Sequence, residues 1–356
     1  MPEQSHPLRI LHLKIPPLSS VQSSVQSSVH FLSAYAYTEH RGRFPAPDLF
    51  FFQKEVFSMN DLLILSAGGD RRCSLLSAKL SKVPGVTVFS CAQGLSEKNG
   101  LLPIRTLSEC PAAPDLLLLP IPLTRDGKTI PAPLLPEAKL DLEELFPLLK
   151  TDTRVYGGLS APGRPFEAFL TEKGISFTDY LSDEVFTLKN ADATAEGALL
   201  LAADLLPVTL RGTRVLITGG GRIAKSLTRL LTAYGAKVFV AARSERERYE
   251  LSILGTETIP LSILSESGVL PKTRLLLNTG PAPILDGKML SALPPSALII
   301  ELAGNPGGFT PDAHLLSGRL ILQAPSLPGK TAPESGADWL FRLVCTKDPV
   351  LSLMPC

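Results

Sequence analysis

The chain has 356 residues, 44% of them hydrophobic, enough for about two domains with sizeable cores. Its net charge of +1 implies no general attraction to nucleic acid or to a membrane surface. Five cysteines (Cys73, Cys91, Cys110, Cys345 and Cys356) show neither metal spacing nor a paired framework, so they read as reduced thiols of a cytosolic protein.

Residues 1–58 differ from the rest. They hold the near-repeat Val21-Gln-Ser-Ser-Val-Gln-Ser-Ser-Val29, four of the five histidines and an isolated aromatic cluster, Leu49-Phe-Phe-Phe52. They lack the pattern of a secretory signal. Lys54-Glu55-Val56 can be encoded by a purine-rich ribosome-binding sequence just before Met59. The expectation is a non-native or disordered extension, with translation starting at Met59. The remaining histidine, His314, is expected to cap a short helix, so a serine or cysteine nucleophile served by histidine is not expected.

From Met59 the chain alternates short apolar runs with helical stretches. Strands are expected at 62–66, 86–90, 115–119, 153–157 and near 185–189, and helices at 71–82, 139–150 and 164–173. This reads as a first α/β domain over 59–193. The segment 119–127 is a loop at the C-terminal end of a strand, where such sheets bind ligands. An apolar helix at 194–206 links to a second domain, 207–330. The tail 331–356 carries a helix expected to return to the first domain. The fold class is therefore α/β with two doubly wound domains. No apolar run is long enough to span a bilayer.

The second domain opens with Arg214-Val-Leu-Ile-Thr-Gly-Gly-Gly-Arg-Ile-Ala224, then a helix to Tyr234 and a second strand, Lys237-Val-Phe-Val-Ala241. That is the dinucleotide-binding unit, with Gly219, Gly221 and Ala224 at the three fingerprint positions. Gly219 allows the tight turn, Gly221 lets backbone approach a pyrophosphate, and Ala224 keeps helix and strand close. Gly220, Arg222 and Ile223 complete the turn and the helix N-terminus. The second strand ends without a carboxylate, in Val240-Ala-Ala-Arg-Ser244. Arg243 and Ser244 there suit the 2′-phosphate of NADP, although a solvated arginine after a buried strand reads the same way. The charged helix 244–254 reads as a solvated face. Further strands are expected near 257–260, 274–278, 297–302 and 319–323.

Several blocks resemble the A subunit of dipicolinate synthase from endospore-forming bacteria. They are Ala67-Gly-Gly-Asp-Arg-Arg72, Leu119-Pro-Ile-Pro-Leu with Arg125-Asp-Gly127, and Asn190-Ala-Asp-Ala-Thr-Ala-Glu-Gly197. Beyond the nucleotide unit come Asn278-Thr279, Glu301-Leu-Ala-Gly-Asn-Pro-Gly-Gly308 and Ala324-Pro-Ser-Leu-Pro-Gly-Lys-Thr-Ala-Pro333. Three positions depart from the family pattern: Ala224 for a glycine, Ala193 for a proline and Glu334 for a basic residue. The resemblance, over about 59–345, implies oxidation of the dihydrodipicolinate-level intermediate to pyridine-2,6-dicarboxylate with NADP. It also implies a smaller flavoprotein-like partner, the B subunit of dipicolinate synthase, and expression in the mother cell during sporulation.

A planar dicarboxylate needs cationic or N–H donors at both ends. Arg72 is the first candidate, with Thr124, Arg125, Ser160, Asn190 and Thr194 behind it. Asp70 and Glu196 are candidate general bases; each has a structural reading, Asp70 as a helix cap and Glu196 as first-turn charge compensation. Asn278 and Thr279 end a strand that faces the cofactor, and Gly304–Gly308 would let backbone approach the nicotinamide. No metal site is expected. Two other readings stand beside this one: an NADP dehydrogenase for another small acid, and a nucleotide-binding subunit whose chemistry sits on its partner.

Overall fold

The structure, a computed structural model, describes residues 61–94, 101–311, 313 and 317–355. The expectations for residues 1–58 and for His314 lie outside the described residues. The first sheet consists of β1 (Leu62–Ala67), β2 (Val86–Cys91), β3 (Leu101–Ile104), β4 (Leu116–Leu118), β5 (Arg154–Gly157) and β6 (Ser176–Asp179), with helices α1 (Arg71–Leu80) and α2 (Arg164–Glu172). All its pairings are parallel and the order is β3-β2-β1-β4-β5-β6. The long helix α3 (Glu184–Leu205) follows.

The second sheet consists of β7 (Arg214–Thr218), β8 (Lys237–Ala242), β9 (Glu257–Pro260), β10 (Leu275–Asn278), β11 (Leu298–Glu301) and β12 (Leu322–Gln323). Its helices include α4 (Arg222–Ala233), α5 (Glu245–Ser252) and α6 (Gly287–Ser291). It is again parallel, in the order β12-β11-β10-β7-β8-β9. Both sheets thus have the doubly wound order 3-2-1-4-5-6. The chain ends in α7 (Leu327–Thr331) and α8 (Pro333–Lys347).

Strand periodicity explains the four cores. Leu63 and Leu65 of β1 face one cluster, while Leu62 and Ile64 face another on the opposite side. Val215 and Ile217 of β7 likewise oppose Leu216. With both faces covered, β1 and β2 are buried at every residue, so they appear in sequence as largely apolar runs broken only by Ser66, Thr87 and Ser90. Leu340, Leu343 and Val344 of α8 complete the cluster around Leu62, Ile64, Leu76 and Leu80. The tail is tied down further by an ion pair, Arg154 Nε to Asp348 Oδ2 at 2.7 Å.

Two local expectations need correction, and two strands were not expected. Residues 185–189 are the start of α3, not a strand: Asp183 accepts a hydrogen bond from the Phe186 N–H at 2.9 Å and caps a helix there. A short apolar run cannot by itself separate the two structures. The helix expected at 139–150 is a shorter 3-10 segment, Leu142–Leu148, interrupted by Pro147, which cannot donate to an α-helical ladder. The edge strands β3 and β6 are not among the expected ones. Leu-Leu-Pro-Ile contains a proline, and Ser-Phe-Thr-Asp is too polar to stand out.

Candidate dinucleotide site

Two glycine turns occupy equivalent places, after β1 and after β7. They differ in the space above them. At the first, a methyl built on Gly68 would lie 2.6 Å from the Pro131 carbonyl oxygen, and one on Gly69 would lie 2.5 Å from Cys73 Sγ. The Gly69 N–H donates to the Pro131 carbonyl at 2.6 Å. That turn is covered by its own chain. At the second, Gly219 has φ +105°, the left-handed region that glycine adopts at no steric cost, and a methyl there would lie 2.4 Å from Thr279 Oγ1. Gly221 has nothing within 4 Å of a built methyl. It is the N-cap of α4, without a side-chain cap and without an acidic residue in the first turn. Gly221, Arg222 and Ile223 border open space at the start of the helix, with uncapped N–H groups and the positive end of the helix there. Ala224 is fully buried against the second core, as a small third residue must be. These residues fit a dinucleotide pyrophosphate.

A hollow of about 210 Å³ runs along this turn, lined by Thr218, Gly219–Gly221, Arg243, Glu247, Leu261, Asn278–Ala282 and Gly308, among others. Arg243 is exposed at its rim. Its main-chain carbonyl and that of Ala242 accept from Arg248 Nη1 at 2.6 and 2.9 Å, which holds the strand end in place. Ser244 is the N-cap of α5, its hydroxyl accepting from the Glu247 N–H at 3.4 Å. A cofactor role for Ser244 must share the oxygen with that cap.

The side chains of Asn278 and Thr279 are hydrogen-bonded to the neighbouring strands. Thr218, Asn278 and Glu301 stand opposite one another at the C-terminal ends of β7, β10 and β11. Thr218 Oγ1 donates to Asn278 Oδ1 at 2.7 Å, and Asn278 Nδ2 donates to Glu301 Oε1 at 2.6 Å. Glu301 accepts further from the N–H groups of Ala303 at 2.8 Å and Gly308 at 2.7 Å. Burial pushes its carboxyl above the usual carboxylate range, against the pull of those donors. Thr279 Oγ1 donates to the Thr218 carbonyl at 2.9 Å. This row fixes the floor of the hollow and folds the 303–308 loop beside it. A methyl on Gly308 would come within 2.2 Å of Asn278 Nδ2, so the loop approaches where only glycine fits. Glu301 was visible only as part of a block. The signal for its role was a carboxylate ending an apolar strand, Leu-Ile-Ile-Glu, which must find partners once buried.

A second hollow of about 320 Å³ adjoins the turn, between Leu181, Thr187, Asn190 and Ala191 on one side and Gly221–Ile223 and Thr279 on the other. It is bordered by α3, which lies along α4. Ser226 Oγ and Arg229 Nη2 both donate to Asp192, at 2.6 and 3.0 Å, and Arg222 Nε donates to Glu184 at 3.2 Å. Arg222 is thereby half committed to an exposed ion pair, which lowers the Glu184 carboxyl from its ordinary range.

The candidates for substrate contact scatter. Arg72 is 3% exposed. Its guanidinium donates to both oxygens of Asp70 (2.8–3.2 Å) and to Asn190 Oδ1 at 2.9 Å. It is neither presented to the cleft nor a solvated first-turn residue. It joins the β1–α1 turn to α3 under α8, where a methyl on Gly336 would lie 2.6 Å from Arg72 Cδ. Asp70 caps α1, accepting from the Arg72 N–H at 3.0 Å, and faces Gly329 of α7 so closely that a methyl there would lie 2.2 Å from Oδ2. A carboxylate so occupied is poorly placed as a general base. Asn190 lines the second hollow. Thr194 is buried and donates to the Asn190 carbonyl at 2.7 Å. Glu196 is exposed in the middle of α3, so it compensates no helix end. Thr124 donates to Asp126 at 3.0 Å and accepts from the Gly127 N–H at 3.1 Å, closing the 124–127 turn. Ser160 donates to the Thr124 carbonyl at 3.0 Å. Arg125 is exposed, and Nη2 donates to Ser326 Oγ at 3.2 Å.

Residues 64–181 match the family model of the N-terminal domain of the dipicolinate synthase A subunit. This stretch of the chain is thus similar to that family's N-terminal domain. The A subunit of dipicolinate synthase from Bacillus subtilis (strain 168) is 32% identical over 155 residues, 44% of this chain. The match spans 52% of that relative, about half its length. The crystal structure of the dipicolinate synthase A subunit from Bacillus halodurans is similar over 83% of this chain and 99% of its own, with TM-score 0.69 and 24% identity. A transhydrogenase from Sinorhizobium meliloti has the same fold over 82% of this chain and 96% of its own, with TM-score 0.55 and 14% identity. The architecture is thus a dehydrogenase-like pair of Rossmann sheets. Among the described residues no helix is long and apolar enough to cross a membrane, and no three His, Cys, Asp or Glu side chains are grouped to hold a metal ion.

Proposed function

We propose that this chain is the dinucleotide-binding subunit of a dipicolinate-forming oxidoreductase. In this reading a dihydrodipicolinate-level intermediate would lose a hydride to NADP and a proton to solvent, leaving pyridine-2,6-dicarboxylate. The observation that carries the reading is the open, uncapped turn at Gly221 beside a cleft bordered by α3, in a chain whose residues 64–181 match that family's N-terminal domain. A nicotinamide dinucleotide supplies the hydride acceptor, so no protein nucleophile is needed. The chain's own residues hold and orient. The N–H groups after Gly221 take the pyrophosphate, and Arg243 takes the 2′-phosphate. The Thr218–Asn278–Glu301 row keeps the floor rigid. Arg125, exposed and donating through Nη2 to the neutral Ser326 hydroxyl, is the first-domain cation this reading offers to a carboxylate. The chain works with the B subunit of dipicolinate synthase in the cytoplasm of the mother cell during sporulation.

One observation favours a narrower role. Arg72, Thr124 and Ser160 are all spent on the chain's own groups. A dicarboxylate needs donors at both ends, so the B subunit would complete the site. The test is a coupled assay supplied with the dihydrodipicolinate synthase product. Dipicolinate and NADPH are measured with this chain alone, with the B subunit alone and with both. Turnover by the chain alone removes the narrower role. No dipicolinate from the pair, with NADPH still bound by the chain, would reject the reaction.

A further inference from the structure

We infer that Glu247 is a specificity-determining residue of the dinucleotide site, opposing the 2′-phosphate that Arg243 attracts, so that the chain binds both NAD and NADP. The inference rests on the dinucleotide reading of the Gly219–Ala224 turn.

Glu247 stands three residues after the N-cap Ser244, the place where a capping-box carboxylate folds back on the N-cap N–H. Only half of that box is made. The Ser244 hydroxyl accepts from the Glu247 N–H at 3.4 Å. Among the described residues the Glu247 carboxylate has no hydrogen-bond or ion-pair partner, and it faces the glycine turn instead. A methyl built on Gly220 would lie 2.6 Å from both Glu247 Cβ and Oε2. The side chain is half-buried in the wall of the hollow, and Arg243 lines the same hollow. Of the other carboxylates nearby, Glu250 takes Lys225 and Arg246, Glu184 takes Arg222, and Glu245 is exposed at the start of α5 and does not line the hollow. Among the residues that line the hollow, Glu247 is the carboxylate with acceptors to spare.

Its chemistry points to the adenosine ribose. An ionised carboxylate accepts hydrogen bonds from a 2′,3′-diol, which only the unphosphorylated cofactor offers. The same charge repels a phosphate at the 2′ position. Arg243, on the strand end held by Arg248, acts in the opposite sense. Neither side chain is spent elsewhere among the described residues, so the two set the preference between them. The strand end itself carries no acid; the folded chain supplies one from the next helix.

The test is fluorescence titration of the purified chain with NADH and with NADPH, at low and at high salt. The wild-type chain should bind both, with affinities within about tenfold of each other. Glu247→Gln keeps the size and the helix position. It should tighten NADPH by about tenfold and leave NADH unchanged or weaker, and the NADPH gain should shrink as salt rises. Arg243→Gln should shift the ratio the other way by a similar factor. Glu247→Gln moving both affinities alike, or neither, overturns the inference, and circular dichroism of the variant shows whether α5 has been lost instead. If the wild-type chain binds neither nucleotide, the dinucleotide reading fails, which is a separate result.

Discussion

Arg72→Ala should cost stability before it costs substrate recognition. The guanidinium is 3% exposed, and it meets Asp70 through Nε and Nη2 and Asn190 through Nη1. Removing one partner of a buried ion pair typically costs about 3–5 kcal/mol, because the other charge is left without compensation. Two features place this case at the lower end. The Asp70 side chain retains 13% exposure, and its Oδ1 keeps the main-chain N–H of residue 72, which alanine still supplies. The expected loss is about 3 kcal/mol, or roughly 6–12 °C in melting temperature for a domain of this size. Urea unfolding followed by circular dichroism measures it. A second variant isolates the cause: Asp70→Asn with Arg72→Met removes both charges together and should recover most of the loss. NADPH affinity of the folded fraction should stay within about threefold of wild type. The reasoning is refuted if Arg72→Ala unfolds within about 1 kcal/mol of wild type yet loses turnover of the dicarboxylate, for then the arginine would be serving the substrate.

Three other outcomes are expected. Gly221→Val should leave the fold intact, since φ −77° suits valine and nothing lies within 4 Å of its Cβ, yet NADPH binding should fall more than about a hundredfold by titration. Arg243→Asp should weaken NADPH by roughly ten- to a hundredfold and NADH far less, through loss of a charge-assisted phosphate contact; equal losses would show that Arg243 does not read the 2′-phosphate. Glu301 is raised by burial above 4.5, its ordinary value. Its contribution to stability is therefore fully present below that pH and is lost as pH rises through its folded value. Glu301→Gln should flatten the stability profile over that window in urea titrations at stepped pH, and an unchanged profile would show that the carboxyl titrates as it does in the unfolded chain.

Much of the frame was legible from residue order alone. Buried parallel strands need apolar side chains on both faces, so Leu62–Ser66 and Val215–Ile217 announced themselves. A pyrophosphate turn needs small residues at fixed spacing, so Gly219, Gly221 and Ala224 did too. These are local requirements, met within a dozen residues. What tertiary structure decided was where each polar side chain spends its hydrogen bonds. Arg72 and Asp70 carry the residue types of an anion site, but Pro131 closes their turn and α7 and α8 cover them, turning them into a buried joint. Asn278 and Thr279 lie at the right strand end, but the parallel register sets Thr218 and Glu301 beside Asn278, and their side chains meet each other. Glu247 reads in sequence as one more charge on a solvated helix. Only the crossing of α5 over the glycine turn brings its carboxylate to the wall of the hollow. A strand or a turn is encoded by neighbours along the chain, whereas the partner of a charge is chosen by residues tens or hundreds of positions away, and folding alone brings them within hydrogen-bond reach.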